Sequence, residues 1–317
     1  MGKIIQGDAL QRLAELPPDS VQCVVTSPPY WGLRDYGVEG QLGLEPAMDD
    51  YISAMVRVFA EVRRVLRPDG VLWLNIGDSY SAGGMSNPSN SSTLGGGKDR
   101  GAGEYSISHK SSGLPPKNLC MIPARLALAM QDDGWILRSE IVWHKPNPMP
   151  ESVTDRPTKV HEMIYMFAKS PRYFWDADAV REEYAREYRD GPGFGGLANR
   201  ENTKSAKLTA AMPHLNRSGV GPNAKVRDGR NIRGVWTIAT RPLPEAHFAA
   251  FPPDLVERCI KAGSRPADVV LDPFGGAGTV AMVAESLGRQ WITIELNPEY
   301  VEIIKRRVSG PLFAGTV

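Results

Sequence analysis

The sequence is short of cysteine, of long apolar runs and of net charge, and each shortage excludes something. Its three cysteines, Cys23, Cys120 and Cys259, stand far apart. They form no Cys-x-x-Cys pair and no disulfide framework, which suits a reducing compartment. No stretch of about 18 consecutive apolar residues exists, so no membrane-spanning segment is expected. The opening MGKIIQGDAL lacks the apolar core of a secretory signal, and the expected location is the cytoplasm. A formal net charge of +1 over 317 residues gives no nucleic-acid signal from the chain as a whole.

Charge is present, but it is concentrated. Residues 191–241 hold nine cations: Arg200, Lys204, Lys207, Arg217, Lys225, Arg227, Arg230, Arg233 and Arg241. Only Glu201 and Asp228 oppose them, so the segment is +7 and the remainder −6. A localised basic patch is what a DNA-binding module uses to meet phosphates. A solvated loop would carry the same charges.

Hydrophobic residues make up 42% of the chain, an ordinary share for a globular protein with one large core. Lys3–Gly7 and Val21–Thr26 read as buried strands, with a short helix over Ala9–Leu16 stopped by Pro17-Pro18. Asp50–Leu66 has apolar residues at helical spacing, with arginines at its C-terminal end, where the helix dipole favours cations. Pro68-Asp69-Gly70 is expected to turn the chain into a strand over Val71–Ile76. Strand and helix in alternation predict an α/β doubly wound sheet. Residues 81–118 break the pattern, because 17 of these 38 are Ser or Gly, and they read as a long mobile loop. A helix near Pro123–Asp132 and strands near Leu137–Trp143 and His161–Lys169 follow. Residues 181–233 are polar, basic and weakly periodic, which predicts an insertion. The α/β pattern returns with a helix over Asp254–Ala262, a strand over Asp268–Leu271, a helix over Thr279–Leu287, a strand over Trp291–Ile294 and a helix over Pro298–Val308.

Val269-Val270-Leu271 runs into Asp272-Pro273-Phe274-Gly275-Gly276-Ala277-Gly278-Thr279, and a helix follows. Glycines at such a turn let a ligand approach the backbone and let the helix start beside the strand. Asp272 stands at the strand's C-terminal end, where ligands bind in open α/β sheets. No GxxxxGK[ST] is present, so this is not a P-loop. Glu295 ends the next strand, 23 residues after Asp272. An acid about 20 residues on is placed to accept from ribose hydroxyls. Asp272 would repel a pyrophosphate but pair with an ammonium. S-adenosylmethionine carries both a ribose and an α-ammonium. The alternative ligand is a dinucleotide, with Asp272 capping the helix.

Val21–Thr26 ends in Ser27-Pro28-Pro29-Tyr30-Trp31. Two prolines after a buried strand fix φ and forbid further pairing. The plain reading is a rigid strand exit. The chemical reading starts from an exocyclic base amine, a poor nucleophile whose lone pair is delocalised into the ring. Ser27 Oγ and the Pro28 carbonyl would accept its two hydrogens and aim the nitrogen lone pair, while Pro28-Pro29 hold the acceptors still. Tyr30 would stack on a base removed from the duplex. Trp31 either packs against the sheet or walls the pocket. A sulfonium is already a good leaving group, so no metal is implied. His161-Glu162-Met163-Ile164-Tyr165 departs from HExxH at its last position. No cysteine stands in a Pro-Cys turn, which disfavours carbon-5 cytosine chemistry.

At these two motifs the chain resembles the beta-type DNA amino-methyltransferases, in which an SPPY-like block precedes an FGG-type block. The likeness covers most of residues 1–80 and 118–317. It is strongest to the N4-cytosine enzymes of restriction–modification systems and phages, because Ser27 stands where Asp or Asn would resemble the N6-adenine enzymes. The resemblance implies S-adenosyl-L-methionine as cofactor, held by Asp8, Phe251, Asp272, Pro273, Phe274, Gly275, Gly276, Gly278, Thr279 and Glu295. It implies Ser27, Pro28, Pro29 and Tyr30 as the catalytic block, with Ile141–Asn147 and His161-Glu162 beside the target pocket. It also implies double-stranded DNA as partner, contacted through Arg200, Lys204, Lys207, Arg217, Lys225, Arg227, Arg230 and Arg233. A cognate restriction endonuclease and a monomer or homodimer are further expectations. The glycine-rich turn normally opens such a sheet yet lies late in this chain. The resemblance therefore implies a circularly permuted Rossmann-like sheet with an inserted DNA-recognition region. The expected divisions are 1–180 (catalytic), 181–233 (target recognition) and 234–317 (cofactor binding). N6-adenine methylation, RNA methylation and a catalytically dead DNA-binding module are the alternatives.

Overall fold

A computed structural model of the protein describes residues 2–81, 112–183, 229–241 and 251–309. Most of the loop expected over 81–118 lies outside the described residues, as do Arg200, Lys204, Lys207, Arg217, Lys225 and Arg227. The chain divides into one unit formed by Met1–Asp176 with Gly234–Val317, and a second formed by Ala177–Arg233.

The first unit is built on one sheet. Its strands are β1 (Gly2–Gln6), β2 (Val21–Thr26), β3 (Leu66–Ile76), β4 (Ile136–His144), β5 (His161–Ala168), β6 (Val235–Thr237), β7 (Val269–Asp272) and β8 (Gln290–Glu295). They lie in the order β1-β8-β7-β2-β3-β5-β4-β6. The five strands from β1 to β3 run parallel, β5 is antiparallel to both its neighbours, and β4 is parallel to β6. Every residue of β2 is buried, as a central strand covered on both faces requires.

Helices α1 (Ala9–Ala14), α2 (Met48–Val65) and α3 (Ile122–Asp132) cover one face, and α4 (Pro253–Gly263), α5 (Thr279–Ser286) and α6 (Pro298–Ser309) complete the unit. Helix α2 carries Asp49 and Asp50 in its first turn and Arg63 and Arg64 in its last, which complements the helix dipole at both ends. Its Tyr51, Met55, Phe59 and Val62 share a core with Val24, Leu72 and Leu74 of the sheet. Alternate strand residues point the other way, toward α4. A Cβ on Gly263 would stand 2.6 Å from Val71 Cγ2 and 2.9 Å from Cys23 Sγ, so only glycine lets α4 lie this close. Trp31 is packed rather than exposed to a pocket. It is 3% exposed, belongs to the α1–α3 core and donates from Nε1 to the Glu45 carbonyl.

Two local features differ from expectation. Pro68-Asp69-Gly70 does not precede β3 but lies within it, as an irregularity: Val21 pairs with Leu66 and Cys23 already with Val71. Gln22 Nε2 donates to the Asp69 carbonyl and anchors the bulge. Strand β6 was not expected, because three residues are too few for a periodic signal. Among the described residues no helix is long and apolar enough to cross a membrane.

Within the parallel part of the sheet the direction of winding changes at the centre. Outward from the centre lie β7, β8 and then β1 on one side, and β2 and then β3 on the other. The switch point, where a doubly wound sheet holds its ligand, lies between β7 and β2. These strands come from opposite parts of the sequence, as a permuted sheet requires.

Candidate active site

At the switch point the two sequence motifs are bonded to each other. Thr26, the last residue of β2, donates from Oγ1 to Asp272 Oδ1, the last residue of β7, at 2.7 Å. Both side chains are 1% exposed. The Phe274 N–H donates to the same oxygen at 3.1 Å. Burial pushes the Asp272 carboxyl up to about 7, against the two hydrogen bonds and with the help of the Glu295 charge. A carboxyl so poised gains most from a cation that lets it ionise.

The glycine turn is tied to β8. The Gly275 N–H donates to the Ile294 carbonyl at 2.8 Å, and the Gly276 N–H to Glu295 Oε2 at 2.7 Å. A Cβ on Gly275 would stand 2.2 Å from Thr293 Oγ1. Gly276 and Gly278 have φ of 50° and 77°, and Gly278 is the N-cap of α5. Pro273 and Thr279 are buried, and Phe274 is half-buried against the core. Arg307 of α6 donates to the Ala277 carbonyl and braces the turn from behind.

Glu295 Oε1 accepts from the Asn297 N–H at 2.8 Å, so both carboxylate oxygens are oriented by backbone. Burial raises this carboxyl too, against those bonds. The Gly7 N–H donates to the Glu295 carbonyl, which brings the end of β1 alongside. There Asp8 accepts from the Gln11 N–H at 2.9 Å and caps α1. Tyr36, from the loop after β2, meets Tyr300 of α6 edge-on at 6.4 Å, and the Glu295 charge acts on both phenols. Phe251 is half-buried two residues before α4. A buried carboxyl wanting a cation, a second carboxyl beside it and a glycine at positive φ fit a ribose-bearing ligand with an ammonium group.

The SPPY turn leaves the same edge of the sheet. Tyr51 donates to the Pro29 carbonyl at 2.9 Å, which anchors the turn to α2. Ser27 Oγ lies 3.2 Å from Tyr30 Oη. Tyr30 Oη donates to Glu162 Oε2 at 2.9 Å and lies 3.3 Å from Asn75 Oδ1. Lys145 Nζ donates to Glu162 Oε1. The Tyr30 ring lies against Gly77, where a Cβ would stand 2.5 Å from its Cε2. Only a glycine at position 77 leaves room for the ring. Outside the network, His144 pairs across the sheet with His161 and contacts Thr237 Oγ1.

Sequence reasoning selected Ser27, Tyr30, Asp272 and Glu295, and all four stand at this edge. It did not select Thr26 or Asn75, which end or nearly end buried strands and look like strand residues. The signal was faint: a lone polar side chain closing VQCVVT, and another inside LWLNI.

In the second unit, Glu182 and Arg230 exchange backbone hydrogen bonds at 3.0 and 2.8 Å. Glu182 Oε2 also accepts from Arg230 Nε at 3.0 Å and Arg233 Nε at 2.9 Å. Burial alone would raise the Glu182 carboxyl, but the two guanidinium groups outweigh it and hold the carboxyl below its ordinary range. Of the cations expected to meet DNA, these two are engaged with an acid just outside the basic segment. Arg241, in the first unit, pairs with Asp254 at 2.8 Å.

Two buried or half-buried carboxyls and a glycine turn at the switch point of a permuted doubly wound sheet, joined to a proline-held polar turn, are the parts expected of a nucleoside-using group-transfer enzyme of the α/β class. The chain belongs to the N6/N4 DNA methylases, whose family pattern matches residues 21–306. It is 47% identical over 310 residues to the Type II methyltransferase M.XycI of Xanthomonas campestris pv. cyanopsidis, covering 97% of this chain and 87% of that one. Two solved structures share the fold. TTHA0409 of Thermus thermophilus, described as a DNA modification methylase and solved with S-adenosyl-L-methionine, superposes with a TM-score of 0.59 at 23% identity, covering 99% of this chain and 96% of that one. The PvuII DNA methyltransferase of Proteus hauseri, cytosine-N4-specific, superposes at 0.59 with 20% identity, covering 98% and 93%.

Proposed function

We propose that the protein is a Type II modification enzyme that methylates the N4 amine of a cytosine turned out of duplex DNA, with S-adenosyl-L-methionine as the donor. The observation that carries this reading is the Thr26–Asp272 bond, which fastens the SPPY turn to the glycine turn at the switch point. When bound, the cofactor supplies a methyl group on a positively charged sulfur, an electrophile that needs no metal.

The chain's own residues do the rest. Asp272 pairs with the α-ammonium and Glu295 accepts from the ribose hydroxyls. Gly276 and Gly278 admit the ligand to the backbone, Asp8 borders the adenine and Phe251 the methionine end. Ser27 Oγ and the Pro28 carbonyl accept the two amine hydrogens, so the nitrogen lone pair leaves the ring plane and faces the methyl carbon. The bound cofactor would supply its methyl carbon to that nitrogen, the S–CH3 bonding pair staying on sulfur, and the proton the nitrogen then sheds would pass by way of Ser27 Oγ to water. Tyr30 stacks on the extruded base. Arg200, Lys204, Lys207, Arg217, Lys225 and Arg227 meet phosphates, with Arg230 and Arg233 as supports anchored on Glu182.

Serine at position 27 favours cytosine over adenine. The shared fold of the cytosine-N4-specific PvuII enzyme supports the same choice. The likeness to Type II methyltransferases supports work in the cytoplasm beside a restriction endonuclease of the same sequence specificity. Digestion of DNA from cells making the protein, followed by nucleoside mass analysis, tests the reading. N4-methylcytosine in one sequence context is expected. N6-methyladenine alone would overturn the choice of base, and unmodified DNA would overturn the reading entirely.

A further inference from the structure

We propose that Glu162 is a positioning residue that sets the direction of the Ser27 hydroxyl, so that Ser27 shows the target amine a lone pair and not its proton. The inference rests on the reading above, in which Ser27 Oγ accepts from that amine.

The argument is one of hydrogen-bond polarity. Each hydroxyl has one proton to give, and a carboxylate can only accept. Tyr30 Oη is 2.9 Å from Glu162 Oε2, its shortest contact in the cluster, so the phenolic proton goes there. Its other neighbours are Ser27 Oγ at 3.2 Å and Asn75 Oδ1 at 3.3 Å. Asn75 cannot reverse the direction. Its Nδ2 is committed to Glu162 Oε2 and the Met163 carbonyl, both at 3.2 Å, so its carbonyl oxygen faces Tyr30. The phenolic oxygen is left as an acceptor, and Ser27 is the donor within reach. A chain that runs Ser27 to Tyr30 to Glu162 leaves Ser27 Oγ facing the substrate with electron pairs alone. A donor spent on a charge-directed chain also becomes a better acceptor.

The far end of the chain is held by a cation. Lys145 Nζ donates to the second oxygen of Glu162 and sits 4.4 Å from the centroid of the Trp143 ring. The side chains of Lys145 and Glu162 are 19% and 18% exposed. Three neighbouring strands supply the parts: Asn75 from β3, Glu162 from β5 and Lys145 directly after β4. Burial, and then the Glu162 charge, push the Tyr30 phenol well above its ordinary value, so it remains a donor.

Glu162→Gln is nearly isosteric but reverses the polarity. Its carbonyl oxygen turns to Lys145 and its amide N–H₂ faces Tyr30 and the Asn75 N–H₂, so the phenolic proton loses its carboxylate acceptor and Ser27 is no longer held as the donor. Turnover is expected to fall by about tenfold to a hundredfold. The KM for DNA and the Kd for S-adenosylhomocysteine should stay within about twofold. Glu162→Asp, which keeps the polarity, should recover part of the loss. In a Tyr30→Phe background, where the chain is already cut, Glu162→Gln should cost nothing further. An equal loss in both backgrounds, or a loss that comes with weakened cofactor binding, would overturn the proposal. Ser27→Ala separates the two levels. Full activity in that variant removes Ser27 from the amine site and sinks the underlying reading. A loss in Ser27→Ala without coupling between positions 30 and 162 sinks only the role of Glu162.

Discussion

In the proposed function Asp272 serves two opposed needs with one carboxyl. Buried at the end of β7, it costs the fold stability whenever it is charged, yet a cofactor ammonium wants it charged. The folded carboxyl titrates at about 7, above its unfolded value of 3.8. Its contribution to stability is therefore fully present below the unfolded value and is lost as pH rises through about 7. Cofactor binding has the opposite sign, because it improves as the carboxyl ionises and levels off above that pH. Asp272→Asn keeps acceptors for Thr26 and Phe274 while removing the charge. At pH 8 the variant should unfold at a higher temperature than the parent and bind S-adenosylhomocysteine about tenfold to a hundredfold more weakly. Its affinity should no longer rise between pH 6 and 8. Titration calorimetry across that range, with a thermal melt at pH 8, checks all three outcomes, and an unchanged affinity would remove Asp272 from the cofactor site. This residue was legible in the sequence because an acid after Val-Val-Leu and before glycines has few other uses. Thr26, its partner, was not, since a threonine is at home in any strand.

At the scale of elements, the start of α5 depends on Gly278. Its φ of 77° is left-handed, and a Cβ there would stand 3.0 Å from Ile304 of α6. Gly288, just after α5, has a similar φ of 70° but nothing within 4 Å. Alanine at either site should cost about 1–2 kcal/mol for the backbone alone. Gly278→Ala should cost more, by the crowding of Ile304, and should also weaken the cofactor, while Gly288→Ala should leave binding unchanged. Urea melts with and without S-adenosylhomocysteine separate the two. The same contrast explains which elements could be read. Strand β2 was legible to the residue because six mostly apolar or β-branched positions are bounded by a charged turn and a diproline. The interior of β3 was not, because Pro-Asp-Gly signals a turn whether it ends a ladder or only bulges within it. The Glu162 network was legible only in part: the resemblance put Lys145 and Glu162 beside the target pocket, but not Asn75, nor the bonds that join them to Tyr30. Its members are spread over 133 residues, from Tyr30 to Glu162 through Asn75 and Lys145, and only the pairing of β3, β5 and β4 brings them together.

For the whole molecule, the separation of charge is the feature that composition alone concealed. Under the proposed function, a +7 segment in a chain of net +1 would confine phosphate binding to one stretch of the sequence. The apparent DNA affinity should fall steeply with salt, and each contacting lysine replaced by alanine should reduce the slope of log K against log salt by about 1. Lys204→Ala with Lys207→Ala should therefore flatten it by about 2 without changing the methylated base. A slope that does not move would assign the contacts elsewhere. The topology was legible from the order of the two motifs, since a cofactor turn that comes late demands strands that come early. The pairing of β4 with β6 was not, as nothing local announces a three-residue partner.

The permuted order also sets a timetable for synthesis. Strand β1 is made long before β8, the neighbour it pairs with. Until β7 and β8 leave the ribosome, β1 and one edge of β2 have nothing to pair with, and folding must wait on the longest-range contacts in the sheet. The proposed cofactor site needs Glu295 as well as the end of β2, so a chain interrupted before β8 would have no such site. A DNA-modifying activity that arises only once β8 is in place cannot be released in earlier fragments, and a ribosome stalled short of it leaves no stray marks on the genome.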